Sequence, residues 1–445
     1  MERAHFDQLS RQAFDSLKKD EHLFLTLAGE KSQFVRVNGA RVRQSGTVED
    51  CEATLSFLTS SGGETRKADR TFTLTGDPAR DRDALLREIE GLRALVPGLP
   101  ADPFAQLPRD TGSSVSEQKG ELLAPETAID ALLPPLQNID VVGIYASGSS
   151  VRAMANSAGQ SHWFSTETFS FDYSMYTPSQ RALKSTYAGR TFDPKAYREE
   201  LERSRSQLPV LERPARKVPR GEYRTYLAPA AVNDLVGMLS WGCVSESAIR
   251  QGDSPLRHMR TGERTLSPKF SLSEDFSGGE VPRFNSEGEL APMQLPIIAD
   301  GKLTGSLVSS RTSKEYGVAS NGSGAWEMLR APSIPAGPLH QRDVLKKLGT
   351  GLYLNNLHYL NWSDQPGGRI TGMTRYACFW VENGEIVAPI ENLRWDDSVF
   401  SLFGTALEDF TVERVYEPGV MTYGMRQLGG SWLPGMLLSA MKFTL

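Results

Sequence analysis

Paired imidazoles are the commonest way for a protein to hold a catalytic metal, so the histidines come first. There are six, His5, His22, His162, His258, His340 and His358, and no two stand three, four or five residues apart. No local zinc motif can be written from them. His258 with Glu263 is the nearest His/Glu pair, in an arginine-rich stretch that reads as an exposed loop. His358 lies beside Asn355 and Asn356 in an apolar run that reads as a strand. There a hydrogen-bonded structural histidine competes with a place on a groove wall, and His162 presents the same choice.

Other reactive types are no better arranged. Ser147-Gly-Ser-Ser150 lacks the Gly-x-Ser-x-Gly pattern of a nucleophile elbow and reads as a turn. Gly278-Gly279 and Asn321-Gly-Ser-Gly324 are too short for phosphate loops and carry no lysine. The three cysteines, Cys51, Cys243 and Cys378, are far apart, which argues against a disulfide scaffold or a cysteine-rich metal site. Cys243 follows a helix end, the wrong pole for activating a thiolate, and reads as a buried structural thiol. Asp396-Asp397 and Glu408-Asp409 are acid pairs without a partner at metal spacing.

The elements that must position these residues follow from periodicity. At 445 residues the chain is too long for one ordinary core. A net charge of −5, with both signs mixed throughout, offers no nucleic-acid surface. The N-terminus is charged and amphipathic without a signal-peptide core, and no apolar run is long enough for a membrane span, so a cytoplasmic protein is expected. Helices are predicted at 4–19, at 80–96 with Leu85, Leu86, Ile89, Leu92 and Leu95 on one face, and near Pro125–Leu133. Further helices are predicted at Pro194–Gln207 and Pro229–Trp241, the last with Val232, Leu235, Val236 and Leu239 as its stripe. Hairpins are expected between 23 and 76, turning at Asn38-Gly39 and Ser-Gly-Gly, and adjacent strands follow Asp140. Residues 97–123 read as a long connection. Leu208–Pro219, rich in proline and charge, reads as a linker. The expected class is α+β, with an N-terminal mixed domain of antiparallel hairpins and helices (1–210) and a β-rich C-terminal domain (221–445).

The stretch Gly351–Pro389 reads as two strands joined by a polar loop ending in Gly-Gly, then an Asn383-Gly384 hairpin turn. It resembles the C-terminal signature of the TldD/PmbA (TldE) family of TldD-related metallopeptidases. Val151–Gly159, Arg283–Gly288, Asp300–Gly317, Ser320–Gly324 and Pro434-Gly435-Met436 resemble further family segments in the same order. Together they span most of residues 140–445.

That family has a zinc-bearing subunit and a zinc-free sister, and the resemblance sets the question of which this chain is. The zinc-bearing subunit carries His-Glu-x-x-x-His on a helix after a strand ending in proline, and a cysteine ligand near the C-terminus. Two imidazoles on one helical face and a thiolate hold the metal, and the glutamate takes a proton from its water. Here an ungapped placement puts Gly237, Met238 and Gly242 in the His, Glu and His slots, and Tyr423–Gln427 in place of the cysteine. The resemblance thus implies a TldE/PmbA-like subunit with no catalytic residue and no metal of its own, zinc being expected in its partner. It implies a heterodimer with a TldD-like chain, or a homodimer, acting on flexible peptides. Asn355, His358 and Trp362 are expected on a groove wall. The aromatics of Gly351–Pro389 cannot all face one core in a period-2 strand, so some are expected at an interface or groove. A stand-alone peptidase with a rearranged site and a peptide-binding module using strand addition are the alternatives.

Overall fold

The computed structural model describes residues 2–444 and shows an α+β molecule built on two sheets. The first uses residues before 190: β1 (Glu21–Asn38), β2 (Arg41–Ser61), β3 (Glu64–Thr73), β4 (Ser114–Gln118), β5 (Asp140–Asn156), β6 (Ser161–Tyr176) and β7 (Ala182–Gly189). Its order is β3-β2-β1-β5-β6-β4, with β7 also on β6, and only the β4–β6 pairing is parallel. Helix α1 (Arg3–Asp15) and α2 (Pro78–Leu95) cover one end through Phe6, Leu9, Leu85, Ile89 and Leu92. Helix α3 (Pro125–Leu132) and α4 (Pro194–Leu211) pack with the aromatics of β5 and β6.

The second sheet begins with β8 (Gly221–Leu227), which runs through Pro229 into α5 (Pro229–Ser240). It continues with β9 (Leu272–Asp275), β10 (Gln294–Ala299), β11 (Lys302–Leu303), β12 (Pro332–Ser333) and β13 (Gly351–Asp364). The remaining strands are β14 (Arg369–Glu382), β15 (Glu385–Pro389), β16 (Arg394–Ser398), β17 (Leu407–Pro418) and β18 (Gly430–Phe443). The order β11-β10-β9-β12-β18-β16-β14-β13-β8 returns on itself, because β8 also pairs with β18. Strands β18, β16, β14, β13 and β8 thus close a ring, and α5 packs on it through the largest apolar core.

Four details differ from the sequence reading. The first hairpin turns on Gly39 and Ala40, both at φ 57°, because Asn38 pairs with Arg41 and remains in the strand. Leu95 leaves the buried face of α2 and is 46% exposed. The 97–123 connection contains β4, whose five polar-flecked residues carry too little alternation to be seen. Helix α4 runs through Pro209 to Leu211, into the stretch read as a linker. A proline in the last turns forfeits one backbone bond, and the buried Leu211 side chain holds the end in place.

Candidate functional site

Helix α5 starts at Pro229, whose missing N–H is an orphan at that position anyway, and stops where Gly242 turns left-handed at φ 83°. Val232, Leu235, Val236 and Leu239 are all buried to within 1% of full cover. The three degenerate slots sit differently. Gly237 is exposed, and a Cβ there would meet nothing within 4 Å. Met238 points into the core. Gly242 lies beyond the helix, where a Cβ would stand 2.7 Å from the Gln365 amide nitrogen. Positions 237 and 242 therefore share no helical face in this chain. A zinc ion does not fit this set, since two members have no side-chain donor and the third is a thioether in apolar packing. Among the described residues no group of three or more His, Cys, Asp or Glu is placed to hold a metal ion.

Two of the other candidates have plain structural roles. His162 bonds Ser114 Oγ through Nδ1 (2.7 Å) and Gly288 O through Nε2 (3.0 Å), and stacks on Phe284. It fastens the first sheet to the second half of the chain. His258 pairs with Glu263 (2.7 Å) at the surface. Burial raises the pKa of all three cysteines, Cys51 and Cys378 to about 11, so none is a poised thiolate.

The loop 419–429, which includes the Tyr423–Gln427 stretch expected in place of a cysteine, crosses to the first sheet. Arg426, 7% exposed, anchors it. The guanidinium donates to Gly148 O (3.1 Å), Thr168 O (2.9 Å) and Thr168 Oγ1 (2.6 Å), and the Arg426 N–H donates to the Glu30 carboxylate (2.6 Å). Between this loop, the middle of β6 and the ends of β7 and β17 lies a cavity of about 220 Å³. Arg190, Glu280, Tyr416, Arg426 and Trp432 help to line it, with the Tyr416 and Trp432 rings tilted against each other across the β17–β18 ribbon, centroids 5.3 Å apart. Tyr423 and Met421 on the same loop are 98% and 64% exposed.

Alternation along the ribbon sends the next cross-strand pair, Glu417 and Ser431, to its opposite face. Ser431 Oγ donates to Asn233 of α5 (2.7 Å), which brings Glu417 to the Asp234 side of the helix. Asp234 accepts the Leu357 N–H (3.0 Å) at the edge of β13 left open where β8 ends. Its pKa is pushed up to about 7 by burial, against the Leu357 bond and the Lys184 charge. Glu417 also rises to about 7, through burial and then the charges of Asp234 and Glu200, with Lys184 opposing. Glu417 is half-buried and keeps some accessible surface although protein crowds it. Lys184 bonds Asp172 (3.2 Å) and Glu200 accepts from Ser185 (2.7 Å), so β6, β7 and α4 supply the facing wall.

The three residues expected on a groove wall are not brought together. Asn355 spends its amide on Ala377 O (2.5 Å) and Gln207 (3.2 Å). Trp362 donates to Trp241 O (3.2 Å) at the end of α5 and packs against the main core. His358 packs against Tyr359 with ring centroids 4.2 Å apart and the planes tilted by 47°, and its pKa is lowered by burial and by Arg375 and Lys184. The sequence reading did not single out Asp234, Glu417, Lys184 or Arg426. An acid one step from the apolar stripe of α5 was the available signal for Asp234. The other three stand in unremarkable surface-like contexts.

Comparison with known proteins agrees with this architecture. Residues 220–444 match the family described as PmbA/TldA metallopeptidase C-terminal domain. The chain is 30% identical over 171 residues to the metalloprotease PmbA of Escherichia coli O157:H7, a match covering 38% of this chain and 35% of that protein. The match therefore spans about a third of that relative's length. In fold, TldE from Thermococcus kodakarensis superposes over 99% of this chain and 100% of its own, with TM-score 0.74 and 14% identity. A Thermotoga maritima protein described as a candidate modulator of a DNA gyrase gives TM-score 0.75 at 15% identity, over 99% of this chain and 100% of its own.

Proposed function

Since the chain belongs to the PmbA/TldD metallopeptidase family, we propose that it is a zinc-free subunit which pairs with a zinc-bearing TldD-like chain to complete a peptidase for flexible peptides. The observation that carries this reading is the state of α5. The strand–proline–helix scaffold is fully packed, and Gly237, Met238 and Gly242, the residues that the family resemblance sets against the sister's donors, offer no good metal ligand, which supports the reading. A peptide bond needs an activated water or a nucleophile, and neither is assembled among the described residues. In this reading the chain contributes cleft wall and substrate contacts, and the partner contributes zinc and base. Among the described residues no helix is long and apolar enough to cross a membrane. Three free, buried cysteines suit a reducing compartment, which supports a cytoplasmic setting.

The test combines metal analysis with reconstitution. The chain purified without a metal-affinity tag is expected to hold no stoichiometric zinc and to leave casein and short flexible peptides intact. Mixed with a TldD-like chain from its own organism, it is expected to form a heterodimer by light scattering and sedimentation, with chelator-sensitive cleavage. About one dialysis-resistant zinc per chain, or chelator-sensitive cleavage by the pure chain, would overturn the reading. So would a monomer that stays monomeric after mixing.

A further inference from the structure

The rim of the β13–β14 hairpin carries a cation with no partner. Among the described residues the Arg375 side chain makes no ion pair and donates no hydrogen bond; its guanidinium lies 5.1 Å from the Tyr376 ring centroid. It is half-buried, where an unpaired guanidinium is more costly than on an open surface. The backbone around it is strained. Tyr376 stands at φ 63° and Tyr359 at φ 52°, in paired strands whose register slips between Leu354 and Asn356 and again between His358 and Asn361. A bulky residue in the left-handed region costs about 1–3 kcal/mol, and such residues gather where a surface must be held ready for a ligand. The His358 side chain, tilted against the Tyr359 ring, likewise has no hydrogen-bond partner among the described residues.

The groups facing this rim do not neutralise it. Across the cleft β7 presents Lys184, already bonded to Asp172, and α4 presents Gln207, bonded to Asn355. Glu200 is engaged by Ser185 and Arg203. Asp234 is held at the Leu357 N–H, on the α5 side of β13. Arg375 is thus a free fork of donors beside an aromatic platform, the arrangement that binds a carboxylate.

We propose that Arg375, flanked by His358, Tyr359 and Tyr376, forms a carboxylate subsite for an acidic side chain or the C-terminal carboxylate of an extended peptide. The proposal rests on the peptide-cleft reading above and adds what the cleft selects. Three fluorescent Gly/Ser-rich peptides test it by anisotropy. One has an internal glutamate and an amidated end, one a glutamine and an amidated end, and one a glutamine and a free C-terminus. The chain is expected to bind one or both carboxylate-bearing peptides about tenfold more tightly than the neutral one. Which of the two gains decides between side chain and terminus. Arg375→Gln is expected to erase the difference with the melting temperature unchanged, and Arg375→Lys to restore part of it. Equal affinity of the parent for all three peptides overturns the carboxylate subsite but leaves the peptide cleft standing. Arg375→Gln weakening all three alike assigns the residue a structural role and also overturns it. No binding of any peptide, by the chain alone or mixed with a TldD-like subunit, overturns the cleft reading and this proposal with it.

Discussion

Helix α5 and the β13–β14 hairpin lie side by side and are built on opposite terms. The helix buries its whole apolar stripe in the largest core and exposes a glycine, Gly237, on its open side. The hairpin has bulges, two left-handed tyrosines, and polar groups left without partners. Packing of the first kind maximises stability. Strain and unmatched polarity of the second kind reduce it, and persist where a surface has a binding role. The contrast separates what this chain keeps as scaffold from what it offers to a ligand.

The scaffold side of the contrast predicts the largest effect. Leu235→Ala removes a fully buried side chain from α5 and is expected to cost about 2–5 kcal/mol, read as a fall in the urea midpoint. A loss below about 1 kcal/mol would mean that the helix is not packed as described. Arg426 belongs with the packed side too. Arg426→Met leaves the Gly148 and Thr168 carbonyls unpaired and is expected to cost about 2–4 kcal/mol. It should also open the 419–429 loop to limited proteolysis; an uncut loop would count against the anchor.

Asp234 sits on the boundary between the two regions and sharpens it through pH. Its folded pKa, about 7, lies above its unfolded value. Between the two values the folded chain binds more protons than the unfolded one, so stability falls as pH rises through that window. Asp234→Asn keeps an acceptor for the Leu357 N–H and removes the titration. Its stability relative to the parent should therefore climb by about 2 kcal/mol from pH 5 to pH 8. Parallel pH profiles for the two proteins would show that the carboxylate is not desolvated. The smallest expected effect is a gain. Gly237→Ala fills open space on an exposed helical position and should stabilise the chain by about 0.5–1 kcal/mol. A destabilised variant would show that the slot is occupied by something its surroundings do not reveal.

Much of this molecule follows from local signals along the chain. Proline at 229 with a 3.6-residue stripe dictates α5, and Asn383-Gly384, at φ 51° and 82°, dictates the tight turn after β14. That Gly237, Met238 and Gly242 carry no good metal donor is legible for the same reason, since residue type alone decides whether a side chain can ligate a metal. The cleft was not legible. Glu417, Asp234 and Lys184 are 233 residues apart at the extremes, and their proximity depends on β17 and β7 meeting beside α5. Nor does composition reveal that Arg375 lacks a partner or that Arg426 has several; a charged side chain's role is set by what the fold places around it. Alternation and turn chemistry act over a few residues and can be read along the chain. Burial, charge neighbourhood and strain belong to contacts between distant segments, and only the tertiary structure decided those.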